Sequence, residues 1–185
     1  MSAERLADGV YRCGTRFVNW YVIDDDGHLT VVDAGLPRYW SQFDGVLTEI
    51  GRSRDDVAAV VLTHGHVDHV GFSERLRGEL DVPVFVHGAD EEMARTGKLQ
   101  KPEGSPLPNL RHPFAYRFLF HFLRNGGARI PPVHRLERFE DGQRIDVPGS
   151  RWRSIRRGTP RATARSTSRR TACSWRAITP SHSTR

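Results

Sequence analysis

The chain has 185 residues, enough for one globular domain, and its composition is polar, with 37% hydrophobic and 27% charged residues. Two cysteines exclude a disulfide framework, and no apolar run approaches the roughly 20 residues of a membrane span. The net charge of +6 first suggests a nucleic-acid partner. However, residues 1–150 contain all 22 acids, whereas residues 151–185 contain ten arginines and no acid, so the basic excess belongs to the C-terminal end.

Strand and helix patterns alternate along the chain. Short runs rich in β-branched and aromatic residues predict strands, and apolar residues spaced three or four apart predict helices. The predicted strands are residues 9–13, 17–24, 29–32, 56–62, 82–87 and 144–147, and the predicted helices are residues 38–50, 72–80, 89–95 and 114–123. This alternation predicts an α/β fold built in layers.

Two neighbouring segments in the second half have unusual compositions. Residues 98–109 are rich in Lys, Pro and Gly and predict a loop. Residues 114–123, with the sequence FAYRFLFHFL, are strongly aromatic. Two interpretations of this predicted helix stay open, namely that it packs on the body of the domain or that it forms a lid over a site.

The sequence THGHVDHVG places four potential metal ligands within six residues, between a predicted buried strand and a helix. His64 and His66 share a face in extended backbone and can bind one ion, and Gly65 allows a tight backbone path between them. Asp68 and His69 lie beyond the bend and can bind a second ion. Imidazole and carboxylate ligands suit zinc, and also iron or manganese. A lone histidine is more often a surface residue than a metal ligand, and Asp68 alone could cap a helix. The metal-site prediction therefore depends on the four residues occurring together.

This segment resembles the H-x-H-x-D-H signature of the metallo-β-lactamase fold, a family with glyoxalase II-like thioesterases, lactonases, β-lactamases, RNA-processing nucleases and phosphodiesterases. The resemblance extends over about residues 8–150 and includes the strand that ends at Asp33. It implies a four-layer αββα sandwich and two zinc ions, with His64 and His66 on the first ion and Asp68 and His69 on the second.

The resemblance also implies a reaction. In such sites the metals lower the pKa of a bridging water, and the resulting hydroxide attacks a carbonyl or phosphorus. Asp68 would take the catalytic role of orienting that hydroxide. Asp33 is assigned a hydrogen bond that holds the ligand loop, with a plain turn residue as the alternative.

The expected substrate is a small ester, thioester or lactone, because the body is acidic and the 114–123 segment is aromatic. A phosphodiesterase or nuclease of the same fold is the alternative, although Lys98 and Lys101 are the only lysines that could contact phosphate. The start of the chain lacks a secretory pattern, and the two cysteines are interpreted as unpaired thiols. We therefore expect a cytoplasmic protein with a small-molecule substrate and without a membrane or nucleic-acid partner.

The family pattern requires further residues that this chain does not supply in frame. It expects a third histidine for the first metal after residues 147–149, a bridging aspartate in a Gly-Asp segment, and a late histidine. The histidines that follow the motif lie too early in the chain or in an unsuitable context: His87, His112, His121, His134 and His182. The second half of the fold is therefore expected to be incomplete, and the chain to hold fewer than two ions.

Residues 158–185 form an Arg-rich tail without Leu, Val, Phe, Tyr, Lys or any acid. One interpretation is a disordered basic tail that would bind nucleic acid through its phosphates in a protein without catalytic activity. A frameshift is the preferred one, because every tail residue except Ile178 and His182 has G or C as its middle codon base. A GC-rich gene read out of frame produces this composition.

Back-translation supports the frameshift. In the shifted frame, each codon consists of the third base of one codon of the present frame and the first two bases of the next. In that frame Gly158 to Thr163 can encode His-Thr-Pro-Gly-His, and Ala172 to Pro180 can encode Val-Leu-Leu-Ala-Gly-Asp-His-Ala. Both missing segments appear in order. We therefore expect a frameshift near residues 156–158, a domain of residues 1–157 followed by a tail of residues 158–185, and weak or no hydrolysis by this exact chain.

Overall fold

The computed structural model describes residues 2–98 and 112–147, together with the backbone of residues 150–153. Its centre is a mixed seven-stranded sheet whose strands lie side by side in chain order, and a pair of strands follows it. The strands are β1 (Glu4–Ala7), β2 (Val10–Gly14), β3 (Asn19–Asp25), β4 (His28–Val32), β5 (Val57–Val61), β6 (Val84–His87), β7 (Glu137–Phe139), β8 (Arg144–Val147) and β9 (Ser150–Arg153). Strands β1 to β4 pair antiparallel, whereas β4 to β7 pair parallel.

Helices connect the parallel strands, as parallel pairing requires. They are α1 (Phe43–Glu49), α2 (Val67–Val70), α3 (Ser73–Leu80), α4 (Glu91–Thr96) and α5 (Pro113–Arg124), with short 3₁₀ turns at Pro37–Gln42, Arg54–Asp56 and Gly88–Asp90. No helix in the described ranges is long and apolar enough to cross a membrane.

The continuous apolar run of β5 is explained by burial on both faces of the sheet. Val60 and Leu62 belong to the large core on the helix side, while Ala59 and Val61 belong to a second cluster on the opposite side. Period-two alternation therefore sends successive side chains into two different cores. A strand buried on both faces shows no polar alternation in its sequence.

The second cluster is the beginning of a second layer. β8 and β9 form an antiparallel pair, and Ile145 and Val147 of β8 join Phe139 in packing against the face of β5. Helices, main sheet and a two-stranded second sheet are therefore three successive layers of the expected αββα sandwich. The predicted α/β class is confirmed, with a second sheet of two strands in the described part.

Most predicted elements are present with shifted ends, and a few differ. The helix predicted for residues 38–50 is divided into a 3₁₀ turn that begins at Pro37 and the shorter helix α1. Strands β1 and β7 and helix α2 were not predicted. The sequence of β1 does not indicate a strand, because β1 is exposed along its whole length and lacks an apolar alternation. The predicted loop at residues 98–109 falls almost entirely outside the described residues, and the tail at residues 158–185 lies wholly outside them.

Cys13 on β2 is expected to be an unreactive thiol. Its side chain is buried in the main core. Burial, with a smaller contribution from the charge of Glu49, raises the pKa of this thiol to about 12. Because the thiolate is the reactive form, we expect alkylation of Cys13 by iodoacetamide at pH 8 to be at least about a hundredfold slower in native protein than in guanidinium chloride. Peptide mass spectrometry measures both rates, and equal rates would contradict this placement.

Candidate metal centre

The site begins where two parallel strands end. Asp33 directly follows β4, and Thr63 follows β5 by two residues. Because parallel neighbours end at the same edge of a sheet, these residues meet there. The backbone N–H of Asp33 donates to the carbonyl of Val61 at 3.0 Å. Asp33 adopts a left-handed backbone conformation with φ of 62°, which aspartate tolerates better than most residues.

The buried Asp33 carboxylate organises the loop that follows β5. Its Oδ1 accepts from the backbone N–H of Thr63 at 2.8 Å, and its oxygens lie 2.8 and 2.9 Å from the Thr63 hydroxyl. Its Oδ2 also lies 2.8 Å from Nδ1 of His69. The side chain of Asp33 is only 4% exposed, so these contacts replace the water that it loses on folding.

These hydrogen bonds determine which nitrogen each of two histidines presents. The proton on Nδ1 of His69 is donated to Asp33, so Nε2 of His69 keeps its lone pair. The single hydroxyl proton of Thr63 is donated to Asp33, so the Thr63 oxygen accepts from Nδ1 of His64 at 2.9 Å. His64 therefore also presents an unprotonated Nε2. Unprotonated imidazole nitrogen is the form that binds a metal.

The four predicted ligands lie in one cluster. The ring centroid of His64 is 3.9 Å from that of His69 and 4.6 Å from that of His66. Asp68, in helix α2, has its Oδ2 at 3.7 Å from Nε2 of His69. The sequence motif therefore becomes a compact group of three imidazoles and one carboxylate.

The two inner histidines have opposite pKa shifts. Burial lowers the pKa of His64 to about 4, and the adjacent His69 and His66 add to this effect. Burial by itself lowers the pKa of His69, but its hydrogen bond with Asp33 and the negative charges of Asp33 and Asp68 outweigh burial and raise it. At neutral pH His64 is therefore uncharged, while His69 takes up a second ring proton more readily than a free imidazole.

The donor set suits a divalent cation, but the arrangement is incomplete. Neutral imidazoles with a carboxylate are typical zinc ligands, and Asp33 orients His69 as carboxylates orient metal-binding histidines. In the part of the chain that the structure describes, however, no three His, Cys, Asp or Glu side chains surround one common point. The residues thus fit a divalent metal in chemistry, although in the described part of the chain they do not converge on one point.

Close packing of glycines holds the loop in place. A Cβ at Gly65 would lie 2.7 Å from the carbonyl oxygen of Asp90 and 3.0 Å from Cβ of Met93. The φ of Gly65 is not positive, so the close approach of the segment around helix α4 explains this glycine, rather than the tight backbone path between His64 and His66 expected from the sequence. Ala34 N–H donates to the carbonyl of His69 at 2.6 Å and so fixes the other end of the loop.

Two structural features near the cluster were not assigned from sequence. Thr63 lies inside the motif, but its bridging of Asp33 and His64 depends on a residue 30 positions earlier. The pKa of the Tyr39 hydroxyl is raised by burial and by the charge of Asp68. The hydroxyl oxygen of Tyr39 lies 2.6 Å from Nε2 of His121. These two residues are 82 positions apart, and no local pattern in the sequence links them.

Replacing Asp33 with asparagine tests the hydrogen-bond network. Asparagine has the same shape and tolerates a positive φ, but one of its two terminal atoms is a donor. A Thr63 or His69 donor then loses its acceptor, so the free energy of unfolding should fall by about 1–3 kcal/mol. Urea denaturation measures this change. Asp44→Asn removes an exposed ion pair with Arg54 and should cost less than about 1 kcal/mol, so equal losses would contradict the network.

Comparison with known proteins identifies the family. Residues 13–158 match the family model described as the metallo-beta-lactamase superfamily. The fold is similar to the subclass B3 metallo-beta-lactamase BJP-1 of Bradyrhizobium japonicum, with a TM-score of 0.63, 18% identity, and coverage of 83% of this chain and 50% of that one. The FEZ-1 metallo-beta-lactamase of Legionella gormanii gives a TM-score of 0.62 at 17% identity, covering 84% and 52% of the two chains.

Two relatives at the sequence level are named probable metallo-hydrolases. The probable metallo-hydrolase YflN of Bacillus subtilis is 32% identical over 107 residues, which are 54% of this chain and 39% of the relative. The probable metallo-hydrolase YybB of the same organism is 28% identical over 94 residues, covering 47% and 41%. The matched region thus spans about two fifths of the length of these relatives. With most of its length matched by the family model, the chain belongs to the metallo-beta-lactamase superfamily.

Proposed function

We propose that the cluster at the end of β5 is a divalent-metal site, with zinc as its metal, and that the domain is that of a hydrolase. The observation that carries this proposal is the chain of hydrogen bonds from Asp33 to His69, and through Thr63 to His64. It buries a carboxylate in order to fix two imidazole rings with their Nε2 atoms unprotonated. A purely structural loop does not require this arrangement.

The residues take the following roles. In a complete site His64 and His66 would hold the first ion, and Asp68 and His69 would hold the second. A bound metal supplies a water acidified towards neutral pH and a Lewis acid for a carbonyl oxygen. Asp68 accepts and orients a proton of the attacking water, since it stands beside His69 with a partly exposed carboxylate. Asp33 and Thr63 do not contact substrate, and they keep the two inner rings in place.

The proposed substrate is a small ester, thioester or lactone. The names of the metallo-hydrolase relatives support hydrolysis, and the acidic body of the chain does not favour a polyanion. Ribonuclease J2 of Bacillus subtilis is also a relative, 36% identical over 73 residues, but these make up only 13% of its length. In the described residues no Arg or Lys forms an ion pair with Asp33 or Asp68, whereas a phosphodiester would need cations near the metals.

Zinc binding tests the proposed site directly. Competition with a fluorescent chelator should give a Kd that is at least about tenfold weaker for His64→Ala than for the unchanged protein, because a ligand is lost. His134→Ala serves as a matched control, since this histidine is exposed and has no role in the cluster. Equal affinities for the unchanged protein and His64→Ala would exclude this cluster as the zinc site.

The pH dependence of zinc binding should follow His69. A proton on His69 competes with the metal, and its pKa is raised, whereas His64, with a pKa of about 4, stays neutral down to pH 5. Affinity should therefore fall as the pH decreases from 8 to 6. Asp33→Asn removes the charge that raises the pKa of His69, so the fall should move to lower pH in that variant. A pH profile identical in both proteins would contradict the assignment.

A further inference from the structure

Helix α5 carries an apolar stripe that nothing in the described structure covers. Tyr116, Leu119, Phe120 and Leu123 follow one another at spacings of three, one and three residues, so they occupy one face of the helix. Phe120 is 67% exposed and Tyr116 is 59% exposed. These are the most exposed of the large apolar side chains in the described part of the chain.

The opposite face of α5 already packs on the domain. Phe118 and Phe122 contact the main core, and the ring of Phe17 lies 6.1 Å from that of Phe118. His121 on this face is bound by Tyr39. The helix is therefore held in place by one apolar face while it presents a second one outward. A helix that is apolar on both faces requires a further apolar environment.

The residues around the apolar stripe are positively charged, and this charge indicates which kind of partner covers the stripe. The described residues 112–136 contain four arginines and no acid, in a chain whose first 150 residues are net acidic. Arg117 and Arg124 are exposed beside the stripe, and Arg38 donates to the carbonyl of Arg124 at the end of the helix. Within the described ranges, none of these three arginines forms an ion pair with a carboxylate. The surface is therefore apolar in the middle and cationic at its border.

We propose that α5 lies in the headgroup region of an anionic lipid bilayer and anchors the domain to its surface. The stripe enters the boundary of the acyl chains, and the bordering arginines reach the lipid phosphates, as amphipathic interfacial helices do. This departs from the expectation of no membrane partner, which rested on the lack of a long apolar run. That argument concerns helices that cross a bilayer, whereas a 12-residue helix can lie along one.

Two other occupants fit the stripe less well. A stable interface with a second copy buries about 800 Å² on each partner, whereas four side chains on a helix about 18 Å long supply only part of that. A second copy would also bring its own arginines to a cationic border. The C-terminal tail carries only positive charge, so it meets the same repulsion.

Flotation with lipid vesicles tests the proposal. The unchanged full chain should float with vesicles of phosphatidylcholine and 30% phosphatidylglycerol, and weakly with phosphatidylcholine alone. Phe120→Glu and Leu119→Glu should each reduce the partition coefficient at least about tenfold. Leu6→Glu, at an exposed apolar residue of β1 outside α5, is the matched control and should keep binding. Both α5 positions are exposed, so circular dichroism should show unchanged folding.

Each alternative gives a different result. Binding that survives both glutamate substitutions would assign the attachment to the basic tail and overturn the proposal. Absence of flotation with anionic vesicles would also overturn it. Light scattering that shows a dimer, converted to a monomer by Phe120→Glu, would instead assign the stripe to a second copy of the chain. Loss of flotation in the α5 variants alone, at constant mass, supports the membrane surface.

Discussion

Replacing Gly71 with alanine should strongly destabilise the domain or prevent it from folding. A Cβ at this position would lie 2.0 Å from the carbonyl oxygen of Gly35 and 2.6 Å from that of Ala34. Both obstacles are backbone atoms, and the segment that contains them is tied to the loop by hydrogen bonds from Ala34 to His69 and from Phe72 to Ala34. The crossing therefore cannot open without breaking these bonds.

The expected cost is about 3 kcal/mol or more, at the upper end of overpacking effects. Thermal unfolding followed by circular dichroism should show a strongly lowered Tm or no transition. Gly78→Ala is the matched control, because Gly78 lies inside helix α3 and a Cβ there would meet nothing within 4 Å. That substitution should raise stability by about 0.5–1 kcal/mol. A Gly71→Ala protein with an unchanged Tm would show that the two segments do not cross as described.

The strand and helix order could be predicted because the local patterns are strong. The apolar run at residues 56–62 predicts a buried strand, and β5 lies within it. This prediction was possible because a strand buried on both faces is recognised by a continuous run of apolar residues. The aromatic segment at residues 114–123 reads as a helix and forms α5. β1 could not be predicted, because its residues are exposed and its pairing with β2 depends on backbone hydrogen bonds.

The motif could be found in the sequence, whereas the network that supports it could not. His64, His66 and His69 are close in sequence, so a local pattern suffices to group them. The contact of Asp33 with Thr63 joins residues 30 positions apart, and it arises only because β4 and β5 are parallel neighbours. The role of Gly65 also depends on tertiary packing, since helix α4 approaches it from a later part of the chain.

Inserting one base before codon 158 should convert this chain into a binuclear metalloenzyme, if the tail is a shifted reading frame. The match to the family ends at residue 158, where the codon composition changes, and this supports the shift. The restored frame would add a His-Thr-Pro-Gly-His and a Gly-Asp segment to the ligands already gathered around His64. More ligands should hold metal more tightly, since binding strength rises with each correctly placed donor.

The restored protein should contain about two zinc ions per chain by atomic emission, whereas the present chain should contain less than one. Hydrolysis of a small ester or lactone should rise by about a hundredfold or more, because both metals are needed to activate water and bind the carbonyl oxygen. His64→Ala in the restored protein should return metal content and rate towards those of the present chain, which excludes a contaminating enzyme. Sequencing the gene is the first test. If its third codon bases do not encode the His-Thr-Pro-Gly-His and Gly-Asp segments in the shifted frame, the frameshift explanation is wrong. A restored chain that binds no additional zinc would leave the Arg-rich tail as a genuine part of the protein.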